Sequence, residues 1–374
     1  MKSNAMKRAI VLLCSWLLVA QAWAAECDWP QWQSFKRDYV SQDGRVIDPA
    51  DGKNITTSEG QSYAMFFALV AGDRDAFGRL FAWTENNLSA GDLSARLPAW
   101  LWGKREDGSW GVLDDNSASD ADLWIAYSLL EAGRLWHSRG YQVAGLRFLQ
   151  RIVKDEVVNV PGLGTMLMPG RVGFIEAEKR WRLNPSYLPP QLLTRLGRES
   201  RTLADVEATT QKMLLEAAPA GVAADWVVWS PEKGWLSDEK TGATGDYDAI
   251  RVYLWLGTLA DDAPHKRALM SHYQTMAKLT QEAGLPPETV DTQTGKGSGT
   301  GPVGFSAALL PFLAGTPALS VQRERVLAHL PGSDAYYSSV LTLFGLGWEQ
   351  QRYRFTSQGE LLTSWERGSC KATD

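Results

Sequence analysis

Apolar residues recur at helical spacing along most of the chain, and polar residues fill the positions between them. The clearest case is the segment 122–139, in which leucine or alanine returns at every third or fourth position. Such a stripe is typical of an amphipathic helix that buries one face. The same spacing predicts further helices over residues 62–71, 75–88, 143–157, 203–217, 249–259, 264–282, 306–313, 321–330 and 336–347.

Alternation of apolar and polar residues, which is typical of half-buried strands, is rare in this chain. The best short candidates are residues 227–229 and 352–355. Glycine, proline and aspartate turns separate the helices, and no linker rich in proline, serine or glycine divides them. The pattern therefore predicts an all-α fold with roughly eleven or twelve helices in one domain. A closed ring of helix pairs would give this chain a single core, although periodicity alone does not establish closure.

The first 24 residues have the three regions of a secretory signal peptide. Lys7 and Arg8 precede an apolar run over residues 9–20, and Ala22 and Ala24 follow in a cleavage pattern. The run is shorter than the roughly 20 residues that a membrane-spanning helix needs. We therefore expect a periplasmic or secreted protein with no membrane segment after cleavage.

These features set the expected boundaries of the mature protein. Residues 1–5 resemble a tag or an alternative start, and Met6 is the expected natural start. Residues 1–24 are the expected signal peptide, and residues 25–374 are the expected single domain. A mature chain of about 350 residues suits one large domain or two ordinary ones, and no linker favours the second arrangement.

The composition excludes several functional classes. Hydrophobic residues make up 44% of the chain and charged residues 22%, which is typical of a packed globular protein rather than a disordered one. The net charge is -5 and no basic run is present, so nucleic acid is not an expected partner. The four histidines and three cysteines are scattered, so we expect neither a metal site nor a cofactor.

Two cysteines, Cys27 and Cys370, remain after removal of the signal peptide. An even number in an exported protein favours a disulfide bond, which here would join the two ends of the mature chain. Closing a loop of this length contributes about 5 kcal/mol in the loop-entropy model. The alternative is that both are unpaired thiols near the chain ends.

Tryptophan is frequent: the chain has 17, and fifteen of them lie beyond the expected signal peptide. Packing within and between helices explains many of them. The alternative is a sugar-binding groove, because flat aromatic rings stack on the apolar faces of pyranose rings. Composition alone leaves both explanations open.

Three short segments place carboxylates where they could take part in catalysis. In the first, Glu59 follows Thr56 by three residues, the spacing of a capping box in which Thr56 caps a helix and Glu59 bonds back to its amide. The alternative is that Glu59 points into a pocket, where the apolar residues 65–67 would keep it protonated.

The second segment holds Asp120 and Asp122 at the expected start of a helix. Ser119 can cap this helix, with Asp122 at the third position bonding the backbone. Side chains two residues apart diverge on a helix, so Asp120 could then face a cleft. The alternative is that both carboxylates only favour the positive N-terminal end of the helix.

The third segment holds Asp248 and Arg251, three residues apart on an expected helix. They could form a surface ion pair of little energetic value. Alternatively, Arg251 and Tyr247 hold the Asp248 carboxylate ionised and oriented, as a general base requires. The local pattern favours neither interpretation.

Several of these segments are similar to those of a known enzyme family, glycoside hydrolase family 8. Residues 118–136, which read ASDADLWIAYSLLEAGRLW, resemble its long signature, and this match is specific. Residues 58–65 (SEGQSYAM) and 247–251 (YDAIR) resemble its two other active-site segments, in the same order. Within the family, the chain resembles the periplasmic endoglucanases of bacterial cellulose synthase operons. Similar stretches also occur at residues 97–104, 182–190, 301–308 and 331–337.

The resemblance implies an (α/α)6 barrel with a substrate groove across one end. It implies endo-hydrolysis of a β-1,4-glucan such as cellulose or cello-oligosaccharides, with inversion of the anomeric configuration. By position, Glu59 matches the general acid, Asp248 the general base, and Asp120 the carboxylate that holds the sugar at the cleavage subsite. Tyr247 and Arg251 match residues that orient the base. Such chemistry needs a protonated acid and an ionised base on opposite sides of the bond.

The resemblance also places aromatic residues in the groove and suggests a biological setting. One of Trp100 or Trp102, together with Tyr187 and Tyr337, falls where the family stacks sugars. A role in cellulose biosynthesis, an association with the cellulose synthase complex and a monomeric state are expected. Two alternatives stay open: a glucan-binding component without catalysis, and the same fold acting on xylan or chitosan.

Overall fold

The structure is a computed structural model that describes residues 29–176 and 179–367. Helices account for most of its regular backbone. In chain order they are α1 (Pro30–Tyr39), α2 (Ser58–Ala71), α3 (Arg74–Leu88), α4 (Ser119–Leu135), α5 (Arg139–Glu156), α6 (Pro190–Gly197), α7 (Arg201–Glu216), α8 (Ile250–Thr258), α9 (Lys266–His272), α10 (Gln274–Ala283), α11 (Val303–Leu309), α12 (Ala318–Ala328) and α13 (Tyr336–Glu349). Short 3-10 turns span Ala50–Gly52 and Pro185–Tyr187.

Some expectations concern parts of the chain beyond this description. The expected signal peptide and both cysteines of the expected disulfide, Cys27 and Cys370, lie outside the described residues, so these stay predictions. Among the helices of residues 29–176 and 179–367, none is long and apolar enough to cross a membrane.

Within the described part of the chain, six helices form an inner ring in which each contacts the next: α2, α4, α6, α8, α11 and α13. The ring closes where Phe66 and Phe67 of α2 pack against Phe344 of α13, with 4.6 Å between the ring centroids of Phe67 and Phe344. The other helices pack outside this ring, for example α3 on α2, α5 on α4, α7 on α6 and α12 on α11. This architecture confirms the all-α class and the (α/α)6 barrel.

Inner and outer helices differ in how much of their surface is buried. All nine residues of α8 are buried, and in α2 every residue from Ser58 to Val70 is buried except Glu59. Helices that are apolar on all sides occupy the core of a protein. The outer helix α5, by contrast, buries a single stripe. One continuous cluster of buried side chains runs from α1 to the last strand of the described chain.

Several helix boundaries differ from the prediction. The segment 122–139 contains the end of one helix and the start of the next, because α4 stops at Leu135 and α5 starts at Arg139. Between them His137 has a φ of +54°, and Ser138 caps α5. The segment 264–282 is likewise two helices, α9 and α10, which are separated at Tyr273. Helices α1 and α6, which span 10 and 8 residues, were not predicted.

Short antiparallel strands lie in the connections between helices. They are β1 (Thr56–Thr57), β2 (Leu101–Lys104), β3 (Trp110–Asp114), β4 (Val157–Val160), β5 (Gly164–Leu167), β6 (Ile175–Glu176), β7 (Arg180–Leu183), β8 (Val227–Ser230), β9 (Gly234–Ser237), β10 (Thr244–Gly245), β11 (Thr289–Asp291), β12 (Gly297–Ser298), β13 (Tyr353–Phe355) and β14 (Leu361–Thr363). Strands β6 to β9 form a four-stranded sheet in sequence order. The two predicted strands are confirmed as β8 and β13. The other strands were not predicted.

Candidate active site

Three inner helices bring the three carboxylate segments to one end of the barrel. Glu59 is the second residue of α2, Asp120 is the second residue of α4, and Asp248 lies two residues before α8. In a barrel of antiparallel helix pairs the inner helices all run in the same direction, so the N-terminal ends of α2, α4 and α8 lie at the same end of the barrel. Residues that are up to 192 positions apart in sequence therefore contact one another here.

Arg251, in the first turn of α8, joins all three carboxyl groups. Its Nη1 donates a hydrogen bond to Glu59 Oε2 and lies 3.6 Å from Asp120 Oδ2. Its Nη2 donates to Asp248 Oδ1 at 2.6 Å. The Arg251 side chain is only 4% exposed, whereas the side chains of Glu59 and Asp248 are 27% and 30% exposed. The predicted pair of Asp248 and Arg251 is therefore formed, and it is not a surface ion pair.

The Asp120 carboxyl lies at the bottom of this cluster. Burial, followed by the nearby charge of Glu59, raises the pKa of Asp120 to about 8. Its Oδ1 accepts a hydrogen bond from the Ala121 amide at 2.8 Å, and no donor in the described residues bonds its Oδ2. Three carboxyl groups around one guanidinium carry excess negative charge, so the cluster retains a proton near neutral pH that belongs to the group as a whole.

The Asp248 carboxylate has a second partner that sequence reasoning missed. Asn184 donates from Nδ2 to Asp248 Oδ2 at 3.0 Å, and its own Oδ1 accepts from the Ser186 hydroxyl at 2.7 Å. Ser186 Oγ in turn accepts a hydrogen bond from Arg251 Nη2 at 3.1 Å. Both residues lie in the stretch 182–190, whose similarity to the family was the only signal that could have identified them.

The capping-box hypothesis for Thr56 is wrong. Thr57 caps α2, because its hydroxyl accepts a hydrogen bond from the Gly60 amide at 3.1 Å. The Thr56 hydroxyl instead donates to the carbonyl of Val46 at 2.6 Å. The Glu59 side chain is thus free to reach Arg251. The apolar residues that follow Glu59 point elsewhere, since Phe66 packs in the core against Trp124.

The hypothesis that Ser119 caps α4 while Asp122 bonds the backbone is also wrong. Ala118 is the capping residue and makes no side-chain bond. Asp122 is fully buried and pairs instead with the buried carboxyl of Glu156, to which the Ser117 hydroxyl donates at 2.5 Å. Burial raises the pKa of both carboxyl groups. The charge of Glu156 raises the pKa of Asp122 further, whereas a hydrogen bond with Asp122 lowers the pKa of Glu156. A shared proton therefore satisfies the pair, since two adjacent buried carboxylates would repel each other.

The two candidate tryptophans differ in how much of each ring is free. Trp100 is 36% exposed, and its carbonyl accepts a hydrogen bond from the Ser58 amide, which places it beside the start of α2. The ring of Trp102 is stacked on Trp110 at 5.4 Å and covered by the guanidinium of Arg45 at 4.4 Å. Trp100 is therefore the better candidate for stacking on a sugar. Trp110 is 45% exposed and was not predicted from the sequence.

The three candidate tyrosines surround the carboxyl cluster. The ring centre of Tyr187 lies 5.7 Å from the guanidinium carbon of Arg251. Tyr337 donates to the carbonyl of Tyr247 at 2.6 Å, which places it against the segment that carries Asp248. The Tyr247 hydroxyl donates to Glu288 Oε1 at 3.0 Å rather than to Asp248. Asn184 and Arg251, and not Tyr247, are thus the side chains that hold the Asp248 carboxylate.

The sequence of this chain is similar to those of known proteins over nearly its whole length. The sequence profile of glycosyl hydrolases family 8 matches residues 4–351. An endoglucanase of Escherichia coli O157:H7 is 55% identical over 366 residues, which cover 97% of this chain and 98% of that protein. An endoglucanase of Salmonella typhi is 57% identical over 342 residues, covering 91% and 92% of the two chains.

Solved structures show the same relationship. The crystal structure of the endo-1,4-D-glucanase from Vibrio fischeri ES114 superposes with a TM-score of 0.87 at 48% identity, covering 90% of this chain and 99% of that one. The endo-beta-1,4-glucanase CMCax from Acetobacter xylinum superposes with a TM-score of 0.70 at 26% identity, covering 85% and 96%. Sequence and structure agree, and the chain belongs to glycoside hydrolase family 8.

Proposed function

We propose that the protein is an endo-β-1,4-glucanase that hydrolyses cellulose-type glucan with inversion of the anomeric configuration. The observation that carries this proposal is the single buried guanidinium of Arg251, which holds Glu59, Asp120 and Asp248 together at one end of the barrel. The names of the similar proteins, which are endoglucanases, support a glucan as the substrate.

In this proposal Glu59 is the general acid and Asp248 is the general base. A water molecule attacks the anomeric carbon and gives its proton to Asp248, while Glu59 gives a proton to the oxygen of the leaving sugar. Inverting enzymes keep these two carboxyl groups about 6.5–9.5 Å apart, so that the water fits between base and sugar. Glu59 and Asp248 bond different nitrogens of Arg251, which keeps them out of direct contact.

Asp120 is proposed to hold the sugar at the cleavage subsite. Its buried Oδ2 faces Arg251 and has no hydrogen-bond donor in the described chain, so a sugar hydroxyl would supply one. The raised pKa of Asp120, together with the closeness of Glu59, supports a proton that is available within the cluster near neutral pH. That proton is what a general acid needs before each turnover.

Aromatic side chains are proposed to line the groove on both sides of the cleavage point. Trp100 lies beside the start of α2, near Glu59, while Tyr187 and Tyr337 lie near Arg251 and the segment that carries Asp248. Flat rings offer a glucan chain contact area with little loss of conformational entropy. We further propose that the protein acts in the periplasm as a monomer, alongside the cellulose synthase machinery, and trims or releases nascent glucan.

The decisive experiment replaces Glu59 with glutamine, which keeps the size of the side chain and removes the transferable proton. Hydrolysis of carboxymethylcellulose should fall by about 10²–10⁴-fold, with an unchanged circular dichroism spectrum. Wild-type activity in this variant would contradict the assignment. The anomeric form of the first product, followed by NMR with cello-oligosaccharides, tests inversion: an initial β product would contradict it. Parallel assays on cellulose, xylan and chitosan test the substrate class.

A further inference from the structure

The segment that carries Asp248 has a buried anchor that lies outside the cluster around Arg251. One oxygen of Asp225, Oδ1, accepts hydrogen bonds from the backbone amides of Asp246 at 2.9 Å and Ala249 at 2.8 Å. These two amides lie on either side of Asp248 in the chain. A single carboxyl oxygen therefore clamps the backbone turn from which the proposed general base projects.

Other contacts between the same two segments make this clamp rigid. Asp225 is only 5% exposed, and its own amide donates to the carbonyl of Thr244 at 3.0 Å. Gly245 packs against the carbonyl oxygen of Ala223. A Cβ atom at position 245 would lie only 2.0 Å from that oxygen, so the two backbones are in close contact. The turn can therefore shift only if the segment around Asp225 shifts with it.

The anchor also holds the residue that precedes α8. No side chain caps this helix, and the amides of Arg251 and Val252 bond the backbone carbonyls of Asp248 and Ala249. The Asp225 carboxyl accepts the hydrogen bond of the Ala249 amide itself. Because α8 carries Arg251 in its first turn, the same contact fixes the start of the helix that holds all three carboxyl groups.

We propose that Asp225 is a positioning residue for catalysis, which acts by fixing the backbone of Asp248. This inference rests on the proposed role of Asp248 as the general base. Asp225 itself does not touch the reacting atoms. A displacement of about 1 Å of a catalytic group can cost on the order of 10²-fold in rate, so loss of the clamp should be visible in kcat.

The test compares Asp225→Ala with Asp225→Asn. The alanine variant loses the acceptor for both amides, and its kcat on cello-oligosaccharides should fall about 10- to 100-fold, with KM changed by less than about threefold. The asparagine variant keeps a carbonyl oxygen that can accept both hydrogen bonds. Its amide group can also donate towards the Asp246 carboxyl, as a protonated Asp225 would. We expect it to keep kcat within about threefold of the wild type.

A second readout separates an effect on the base from a general loosening of the site. A dinitrophenyl β-cellobioside has a good leaving group, so its cleavage needs little help from a general acid but still needs the general base. If Asp225 acts through Asp248, the alanine variant should show the same loss on this substrate as on cello-oligosaccharides. A loss that disappears on the activated substrate would overturn the proposal.

Asp73 offers a matched control. Its Oδ1 also accepts a backbone hydrogen bond at a helix start, from the Ala76 amide at 3.0 Å. It follows the far end of α2, about 20 Å from Glu59 along the helix axis. Asp73→Ala should lower the melting temperature and leave kcat unchanged. An equal loss of kcat in both alanine variants would overturn a specific role for Asp225.

The remaining outcomes also decide the question. Unchanged kcat in Asp225→Ala would overturn this inference alone, and so would an asparagine variant as defective as the alanine variant. A wild-type protein that hydrolyses no glucan would overturn the proposed function, and this inference with it. If Asp225→Ala does not fold, Asp225→Ser takes its place. The serine hydroxyl is one bond closer to the backbone than the aspartate carboxyl oxygen, so it does not reach the two amides and the same loss of kcat is expected. Wild-type kcat in this variant would overturn the proposal.

Discussion

Asp120 and Asp122 lie two residues apart at the start of α4, yet they belong to two different carboxyl clusters. The two clusters differ in how the negative charge of their buried carboxyl groups is compensated. Asp120 belongs to the cluster around Arg251, which contains a cation and includes the partly exposed side chains of Glu59 and Asp248. Asp122 pairs with Glu156, where both carboxyl groups are buried, and no lysine or arginine of the described chain forms an ion pair with either. One cluster offsets its charge with a guanidinium and the other with a proton.

The difference shows what a carboxyl group needs in order to react. A catalytic acid or base must reach the substrate, change its protonation state during turnover and return to its starting state. Glu59 and Asp248 are partly exposed and share a cation, which suits the roles proposed for them. The pair of Asp122 and Glu156 meets none of these conditions. Its hydrogen bond with Ser117 instead connects α4 to the end of α5.

The largest expected effect comes from exchanging one carboxyl group in each cluster for its amide. Asp248→Asn should lower kcat by about 10²–10⁴-fold, because an amide cannot accept the proton from the attacking water. Asp122→Asn should keep kcat within about threefold, because asparagine can still donate a hydrogen bond to Glu156. Steady-state kinetics on cello-oligosaccharides measures both. Equal losses in the two variants would mean that the clusters do not differ in role.

The next effect concerns the cation that only the first cluster has. Arg251→Met leaves Glu59, Asp120 and Asp248 without their shared partner, and removing one partner from a buried ion pair typically costs about 3–5 kcal/mol. We expect a loss of that order in the free energy of unfolding, measured by urea denaturation at pH 7. The loss should be larger at pH 9 than at pH 7, because Asp120, whose pKa is raised to about 8, ionises between these two values and then needs the cation. A loss independent of pH would argue against this electrostatic account.

The smallest expected effect is a change in how stability depends on pH. The pKa of Glu156 is raised by burial, so the folded protein keeps a proton that the unfolded chain releases above about pH 4. Stability from this group is therefore complete below about pH 4 and is lost as the pH rises through the folded pKa. Glu156→Gln should flatten the decline of the unfolding free energy with pH by up to about 1.4 kcal/mol per pH unit.

The pH dependence of stability in Glu156→Gln is measured by a series of urea denaturations between pH 5 and pH 8, with Glu199→Gln as the control. Glu199 pairs with Arg195 at 2.9 Å and is partly exposed. An unaltered slope in Glu156→Gln, or the same flattening in Glu199→Gln, would count against a shared proton.

The sequence predicted the fold class because apolar residues recur at helical spacing in many segments, so errors at single positions do not change the result. It was most reliable for helices such as α3 and α8, whose predicted bounds agree with the structure to within one residue, and least reliable where α4 and α5 follow each other across three residues. Two local hypotheses were wrong for a common reason. Thr56 and Ser119 both have side chains that can cap a helix, but contacts distant in sequence decide whether they do so.

The candidate site was predicted less completely than the fold. The carboxyl residues Glu59, Asp120 and Asp248 were singled out because they stand beside helix starts and resemble family segments. Asn184 and Asp225 were not, because a single buried polar residue has no periodicity and no neighbour in sequence that reveals its partner. Asn184 is 64 positions from Asp248, and Asp225 is 24 positions from Ala249.

By itself the sequence determined that this chain forms paired helices and carries three carboxyl groups suited to glycoside hydrolysis. The helices follow from the sequence because helix formation depends on residues within a few positions of one another. The three carboxyl groups were identified by their resemblance to the family's segments. Only the tertiary structure decided which of these carboxyl groups share Arg251, and that Asp122 turns away to Glu156. The reason is that charge and burial depend on distances between helix ends, and the closed ring of helices sets those distances.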